Sequence, residues 1–426
     1  MVKAQLILDL GNSQTRGVLR VGEIMDKTRM EYSFHLSNAF SSILEGVEGI
    51  PQTEDYNENN SIVFSVNNSI KIGNASVLPD TYVNGLMGER EFSATQVRPT
   101  ALTQKYNSDI TVLSIITAIG KSALWLKDYF ASRGTEFPIQ KLINDIEWEL
   151  TVLLPPQQEK VGAKVLTESL VGQIPVKFEM PNAEALIKIT KVNIMAEGMM
   201  AYMGVLLSKS KRQPRSNKTF MRTSKILVMD IGAGTTDLIV IDNGKSVERS
   251  KNTIDLGGNN IKQALRNRVQ AKLEARLANE AFETGVITGK VKQGIKEHDV
   301  TKELIISKRE IATKISNQVK EYLEASDIEP NSIEYILVVG GGSIPSENPE
   351  VLPISDYLLQ GIKRFAPQVG QVDINDIITK PSSPAFEQVD EADFVSPREL
   401  NIVGAGTIAD IREVALYAKQ QQAKQA

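Results

Sequence analysis

The chain has 426 residues, of which 41% are apolar and 23% are charged, and this length predicts two globular domains rather than one. Its 48 basic and 52 acidic side chains leave a net charge of −4, so no global field draws it onto DNA or an anionic membrane. It has no cysteine and only two histidines, which excludes disulfides and conventional zinc sites and is typical of a reducing cytoplasm.

No segment of the sequence is predicted to enter a membrane. The longest apolar stretch, 110–120, is far shorter than the roughly 20 residues that span a bilayer, and it predicts a buried helix. Near the N-terminus Asp9 interrupts the apolar run 6–8, which a secretory signal does not tolerate. The tail 415–426 has no bulky apolar face that would anchor an amphipathic helix. We therefore expect a cytoplasmic protein.

Two similar segments lie far apart in the chain. Residues 6–19, LILDLGNSQTRGVL, are echoed by residues 227–240, LVMDIGAGTTDLIV. Each copy predicts a buried strand that ends in an acidic residue, a turn of glycine and small hydroxyl residues, and a returning strand. Two such copies predict two lobes.

Between the copies, residues 32–108 are polar and predict a smaller peripheral subdomain of strands and loops. Apolar spacing predicts a helix over 111–132, a buried strand over 148–155 and a helix over 193–208. Residues 209–225 carry seven Lys or Arg residues. A solvated linker between lobes is favoured there over a DNA-binding patch, because aromatic residues are almost absent.

After the second copy the pattern predicts mostly helices. The predicted elements are helices over 261–281 and 307–325, a strand over 335–339, a proline-rich region over 343–397 with one helix near 354–365, and a final helix after Gly404. We therefore expect lobe I over 1–205, lobe II over 206–400 with a peripheral subdomain near 258–306, and a C-terminal helix over 401–426 that returns to lobe I.

The first turn offers a carboxylate and backbone N–H groups to a phosphate. Glycine lets the backbone approach the phosphate closely, and nearby hydroxyl and guanidinium groups add donors and positive charge. The candidate phosphate-binding residues are Asp9, Gly11, Asn12, Ser13, Thr15 and Arg16. Taken alone, this segment is more simply explained as a hairpin with a polar turn.

The second turn is more specific. Two glycines, two threonines and two acids within eight residues make a poor structural strand pair, so phosphate binding is the favoured interpretation. The candidate residues are Asp230, Gly232, Ala233, Gly234, Thr235, Thr236 and Asp237. Asp9 and Asp230 are predicted to hold Mg²⁺ through its water molecules, because that ion dehydrates reluctantly. Phosphoryl transfer to water then depends on positioning and charge neutralisation.

These residues resemble the actin, sugar-kinase and DnaK-type chaperone superfamily, whose members share two phosphate loops, two connecting helices and an adenosine loop. All five elements can be placed in this sequence. The resemblance implies an α/β, two-lobed actin-like ATPase fold, in which each lobe has a ribonuclease H-like mixed sheet flanked by helices, with smaller peripheral subdomains.

The first connecting helix looks like residues 192–202. In prokaryotic actin-like proteins an acid at this place positions the attacking water, so the resemblance implies a catalytic role for Glu197, alongside Asp230 and Asp237. A solvated surface acid is the alternative. The apolar residues on either side of Glu197 favour a functional role, since burying an acid among apolar residues costs free energy and such acids cluster at functional sites.

The adenosine loop looks like residues 336–345, a strand that opens into glycines, and the second connecting helix looks like residues 401–409. The helix over 307–320 is expected to form the other wall of the base pocket. The further candidate nucleotide-binding residues are Gly257, Gly258, Lys314, Asn317, Gly340, Gly341, Gly342 and Ser343.

Among the branches of this superfamily, the sequence is most similar to the ParM and Alp plasmid actins. A DnaK-type chaperone would continue into a peptide-binding domain, a sugar kinase would show a catalytic aspartate in a substrate pocket, and FtsA and MreB kinds carry a membrane helix. The resemblance implies ATP or GTP with Mg²⁺, a head-to-tail filament weakened by hydrolysis, and plasmid segregation through a ParR-type DNA-binding adaptor. A small-molecule kinase, of a sugar or an acid, and a chaperone-like ATPase remain as alternatives.

Overall fold

The structure is a computed structural model, and it describes residues 2–11, 14–22, 29–43, 55–58, 60–92, 96–97, 99, 103–377 and 396–425. The chain divides into two compact units. Unit 1 consists of Met1–Ala196 and Ile408–Ala426, and unit 2 consists of Glu197–Thr407.

Unit 1 is built on one mixed sheet. Its strands are β1 (Val2–Leu10), β2 (Gln14–Val21), β3 (Met30–Ser37), β4 (Phe40–Ser42), β5 (Ser61–Val66), β6 (Ile70–Ile72), β7 (Ala75–Val77), β8 (Asp80–Gly85), β9 (Gln96–Val97), β10 (Ile146–Leu154), β11 (Gly172–Met180) and β12 (Ala183–Ala196), and its helices are α1 (Leu86–Arg90), α2 (Asp109–Ala131), α3 (Ile139–Asn144) and α4 (Glu159–Leu170). Among the described residues the sheet order is β3-β2-β1-β10-β12-β11-β5-β8-β4-β9. Strands β1, β10 and β12 are parallel neighbours, and β4, β5, β8 and β9 of the segment 40–97 extend the same sheet, whereas β6 and β7 pair with each other in a separate two-stranded sheet.

Helix α2 packs against this sheet and confirms the helix predicted over 111–132. The apolar stretch 110–120 is buried along its whole length, as the sequence predicts. In the described part of the chain, α2 is the helix whose length and composition would suffice to cross a membrane, and 83% of its most apolar window is buried inside the protein. Its apolar residues are therefore accounted for by the core of unit 1.

Unit 2 has a smaller mixed sheet with helices on it. Its elements are α5 (Met199–Leu206), β13 (Lys225–Ile231), β14 (Thr236–Asp242), β15 (Lys245–Ser246), β16 (Asn252–Ile254), α6 (Gly258–Leu273), α7 (Asn279–Thr288), β17 (Lys290–Gln293), β18 (Lys296–Asp299), α8 (Thr301–Ala325), β19 (Tyr335–Val339), α9 (Ile354–Ile362), β20 (Gly370–Gln371) and the start of α10 (Leu400–Gln425). β13 pairs antiparallel with β14 and parallel with β19. The predicted strand over 335–339 is confirmed.

Two predicted helices were wrong in their bounds. Residues 193–196 belong to β12 and pair parallel with β10, so the helix begins only at Met199. Strand pairing overrides a sequence whose apolar spacing fits a helix equally well. The helix predicted over 261–281 ends at Leu273, because Glu274 adopts a left-handed conformation with φ 49°, and α7 begins at Asn279.

The basic segment 209–225 is less solvated than the sequence predicts. Residues 216–222 form a 3₁₀ helix, and the side chain of Lys218 within it is buried. Its ammonium lies 2.9 Å from a carboxylate oxygen of Asp376, and it also donates to the carbonyl of Asp373. This positive charge is therefore used inside unit 2.

Helices α5 and α10 cross at a contact that only glycine permits. A Cβ on Gly404 would lie 1.8 Å from the carbonyl oxygen of Met200, and a Cβ on Gly204 would lie 2.4 Å from the carbonyl oxygen of Leu400. The backbones therefore touch directly. Further along, where α10 belongs to unit 1, Arg20 and Arg29 each donate to the carboxylate of Asp410 at 2.9 Å. The helix is thus fixed at both of these places.

Lys308 of unit 2 has a buried ammonium group. Lys308 lies in the buried stripe of α8, and its ammonium has no hydrogen-bond partner within the described residues. Burial lowers the pKa of Lys308 to about 8. A buried cation without a counter-charge is a cost to the folded state.

We expect Lys308→Met to raise the free energy of unfolding at pH 7 by on the order of 2 kcal/mol, because the folded state then no longer buries a charge. The unfolded chain holds the lysine proton up to a pKa near 10.5, whereas the folded chain releases it near 8. The gain is therefore full below pH 8 and disappears as the pH rises towards 10.5. Urea unfolding across this range measures it, with exposed Lys302→Met as the control. A gain that does not change with pH would contradict this explanation.

Candidate functional site

The second turn joins β13 to β14 and is closed by its own backbone. Asp230 and Asp237 face each other in the antiparallel pairing, and the N–H of Gly232 donates to the carbonyl of Thr235 at 2.8 Å. In the described part of the chain, the backbone N–H groups of Ala233 and Gly234 have no backbone hydrogen-bond partner. Consecutive N–H groups of this kind can receive an anion.

The N-terminus of α6 packs directly onto this turn. The N–H groups of Gly258 and Asn259 donate to the carbonyls of Gly232 and Ala233, at 3.0 Å and 2.7 Å. A Cβ on Gly257 would lie 2.7 Å from the Gly232 carbonyl oxygen, so a side chain there would separate the two segments. The positive end of the α6 dipole therefore lies at the turn, which favours a bound anion.

The glycine loop after β19 meets the same turn. Gly340 has a φ of 89°, and a Cβ on it would lie 2.2 Å from Oδ1 of Asp230. A Cβ on Gly342 would lie 2.5 Å from the side chain of Ile231. Ser343 closes this loop by donating its hydroxyl to the carbonyl of Gly340 at 2.7 Å. The predicted phosphate turn, helix α6 and the predicted adenosine loop thus form one cluster within unit 2.

Glu197 lies just outside this cluster, between β12 and α5, and is buried. The next residue, Gly198, donates its N–H to Oδ1 of Asn401 at 3.0 Å. The amide nitrogen of Asn401 donates in turn to Oδ2 of Asp230 at 2.5 Å. A single asparagine therefore connects the peptide that follows Glu197 with the carboxylate at the end of β13.

Two polar side chains of the second hairpin, those of Thr236 and Asp237, form hydrogen bonds within unit 2. Thr236 is fully buried and donates to the carbonyl of Leu256 at 2.7 Å. Asp237 accepts a hydrogen bond from the hydroxyl of Thr253 on β16 at 2.6 Å. These bonds hold β14 and the segment before α6 in place, so the returning strand positions the turn.

The first turn lies in unit 1 and is supported by a buried asparagine. Arg16 lies opposite Asp9 in the β1–β2 pairing, and their charged groups are 3.8 Å apart. Asn38 donates to the carbonyl of Gly11, and its Oδ1 accepts from the hydroxyls of Thr15 at 2.6 Å and Ser114 at 2.8 Å. The predicted residues Asn12 and Ser13 lie outside the described residues.

Two of the predicted nucleotide-binding residues are exposed on helix α8. Lys314 and Asn317 lie on the exposed face of α8, and Lys314 forms an ion pair with Glu310 at 2.7 Å. Their proposed contacts with a base or ribose therefore rest on the sequence alone.

Sequence reasoning missed three residues that hold the turns: Asn38, Thr253 and Asn401. Asn401 carried a signal, since it is the one polar side chain in the run 400–406, which otherwise consists of apolar residues and glycine. The bonds of Asn38 and Asn401 reach elements far away in sequence, and a local pattern does not reveal such partners.

The carboxylates fit a magnesium ion held mostly by water and phosphate. Within the described residues, no group of three or more acidic or histidine side chains forms a cage for a metal. Mg²⁺ usually keeps several waters and uses one or two carboxylates together with the phosphates of its nucleotide. Asp230 suits that role, since Asn401 orients its carboxylate and Gly340 places no side chain beside its other oxygen.

Comparisons with known proteins agree with this fold. A family model for the C-terminal region of archaeal MreB-like actin homologues matches residues 228–348, which include both the second turn and the glycine loop. No curated protein matches the sequence.

Solved structures of three actin-like proteins are similar over nearly the whole chain. Alp7A matches with a TM-score of 0.66 and 16% identity, covering 99% of both chains. A ParM from a 15-stranded filament of Clostridium botulinum matches with a TM-score of 0.53 and 18% identity, covering 97% of this chain and 100% of that one. Bacillus thuringiensis ParM with ATP matches with a TM-score of 0.53 and 15% identity, covering 97% and 99%.

The chain therefore has the actin-like fold, and the predicted fold class is confirmed. The predicted resemblance to the ParM and Alp proteins is confirmed as a likeness of fold across nearly the whole chain.

For the nucleotide binding that the sequence predicts, we expect Gly340→Ala to abolish it while the protein stays folded. A methyl group there would collide with the Asp230 carboxylate, and the φ of 89° is unfavourable for alanine by about 1 kcal/mol or more. Fluorescence titration with a labelled nucleotide, together with circular dichroism, measures both effects. Gly134→Ala is a matched control, because Gly134 also has a positive φ, of 78°, but has nothing within 4 Å of its added Cβ. Equal losses in the two variants would contradict the expected clash.

Proposed function

We propose that this chain is a nucleotide-dependent, filament-forming actin-like ATPase. One observation supports this above the others: the second turn, the start of α6 and the glycine loop meet around Asp230 at distances that exclude side chains. Such a backbone surface suits a polyphosphate, which needs N–H donors at close range. The likeness in fold to a ParM that was solved with ATP supports the same ligand.

The proposed roles follow from the chemistry of each group. The N–H groups of Ala233 and Gly234 bind phosphate oxygens, and Asp230 holds Mg²⁺ through its waters. Such an ion neutralises charge on the transferred phosphoryl group. Glu197 is proposed to position the attacking water, which is supported by its burial and by the bond that holds the next residue, Gly198, to Asn401. In unit 1, Gly11 and the charge of Arg16 are proposed to bind phosphate oxygens, and Asp9 is proposed to hold Mg²⁺ through its waters.

Self-assembly is the second part of the proposal. The fold is similar to that of a ParM that was solved as a 15-stranded filament, which supports a polymer here. A head-to-tail contact that does not close into a ring produces such a polymer. We further propose a cytoplasmic role in plasmid segregation, in which a ParR-type adaptor binds the DNA, since the net charge of −4 gives no general attraction to nucleic acid.

Sedimentation of the purified chain tests this function. With Mg²⁺ and ATP or GTP, the protein should pass from the supernatant to the pellet above a critical concentration, and it should release phosphate. A chain that stays monomeric but consumes nucleotide only when a sugar or acid acceptor is added would instead be a small-molecule kinase. A chain that stays soluble and hydrolyses nucleotide in response to an unfolded client would be a chaperone-like ATPase.

We expect Glu197→Gln to slow phosphate release by about 100-fold or more, because the neutral amide cannot accept a proton from the attacking water. Assembly with ATP should persist, and the pelleted polymer should last longer than wild-type polymer. Phosphate release and light scattering measure the two effects. Glu321→Gln, an exposed acid on α8, is the control and should behave as wild type. Wild-type turnover in the Glu197 variant would remove this residue from the mechanism.

A further inference from the structure

We propose that Asn401 is a positioning residue that couples the carboxylate of Asp230 to the peptide carrying Glu197. Through this one amide, the orientation of the magnesium-holding group and the orientation of the water-positioning acid depend on each other. The inference rests on the proposed function and assigns a role to a residue of α10 that acts through two hydrogen-bond partners within unit 2.

The side chain of Asn401 donates one hydrogen bond and accepts another, and the two partners lie on different elements. Its Nδ2 donates to Oδ2 of Asp230 at 2.5 Å, and its Oδ1 accepts the N–H of Gly198 at 3.0 Å. An amide group is planar, so its donor and acceptor move together. The residue is only 6% exposed, and water therefore offers little replacement for either bond.

The bond to Gly198 acts on Glu197 through a rigid peptide unit. The N–H of Gly198 and the carbonyl of Glu197 belong to the same planar group. That carbonyl accepts the N–H of Met199 at 2.7 Å, so both ends of the peptide are held. Gly198 itself has a φ of 71°, a conformation that suits glycine and turns the chain sharply from β12 into α5. Displacing Asn401 would therefore rotate the backbone that aims Glu197.

The bond to Asp230 fixes one oxygen of the carboxylate. Because Oδ2 accepts the Asn401 amide, the plane of the carboxylate is set, and Oδ1 lies beside the position where Gly340 has no side chain. Hydrogen bonds that orient a metal-holding group commonly change metal affinity or activity by about 10–100-fold when they are removed. Asn401 is well placed to exert such an effect.

Asn401 cannot follow a displaced partner easily. It lies in the first turn of α10, three residues before Gly404, where the α10 backbone touches that of α5. Its side-chain bonds go to β13 and to the start of α5, and neither bond caps its own helix. A role in stabilising α10 alone would not need these two partners.

Two substitutions test the coupling. Asn401→Leu keeps the size and removes both bonds, while Asn401→Asp keeps the acceptor for Gly198 and replaces the donor with a second carboxylate beside Asp230. The exchanges Asn348→Leu and Asn348→Asp are matched controls in the same unit, since the Asn348 amide also donates one bond, to the hydroxyl of Thr301 at 2.8 Å, and accepts one, from the N–H of Glu350 at 3.0 Å, and neither partner belongs to the proposed site. Thermal unfolding of each variant verifies that it is folded.

The measurements separate positioning from folding. Nucleotide affinity is titrated with and without Mg²⁺, and phosphate release is measured over a range of Mg²⁺ concentrations. We expect both Asn401 variants to bind nucleotide alone as wild type does, to lose about 10–100-fold of the gain in affinity that Mg²⁺ provides, and to lose turnover by a similar factor. Both Asn348 variants should match wild type in every measurement.

The contrary results are distinct. If Asn401→Asp behaves as wild type, the bond to Asp230 is irrelevant and the coupling is wrong. If both Asn401 variants lose affinity equally with and without Mg²⁺, the residue is merely structural and the inference is also wrong. If wild-type protein binds no nucleotide at all, the proposed function is wrong, and this inference, which rests on it, is wrong as well.

Discussion

The close approach of three backbone segments at the end of β13 is the constraint on which unit 2 depends. The turn after β13, the first turn of α6 and the loop after β19 come so near each other that glycine is required at Gly257, Gly340 and Gly342. Parallel pairing of β13 with β19 brings two of these segments to the same edge of the sheet. The third segment, the first turn of α6, is brought to this edge because α6 packs on the apolar core of unit 2.

This arrangement is the physical basis on which we propose a polyphosphate site at this edge of the sheet. Glycine removes side chains at three positions where the segments meet, so this edge presents peptide groups, the end of a helix dipole and the carboxylate of Asp230. Polar side chains nearby are used to hold the backbone: Thr236 bonds to Leu256, Asp237 accepts from Thr253, and Asn401 bonds to Asp230. The fold thus fixes the geometry before any ligand arrives, which lowers the cost of binding.

Much of this could be predicted from the sequence because its signals are local. Glycines and acids at the ends of apolar runs predicted both turns and the glycine loop, and β19 has the predicted bounds. The boundary between β12 and α5 could not be predicted, since residues 193–196 have a pattern that fits either a strand or a helix and pairing with β10 decides. The supporting roles of Asn38 and Asn401 could not be predicted for a related reason, because their hydrogen-bond partners lie far away in the chain. The extension of the unit 1 sheet by strands from the segment 40–97 likewise depends on long-range pairing.

The most direct test of the account is an equilibrium titration of wild-type protein and Asp230→Asn with a fluorescent ATP analogue in the presence of Mg²⁺. The substitution keeps the shape of the side chain and removes its charge. The account predicts saturable binding by wild type that is greatly weakened in the variant when Mg²⁺ is present and little changed when it is absent. Equal affinity of the two proteins in Mg²⁺, or no binding by either, would contradict it.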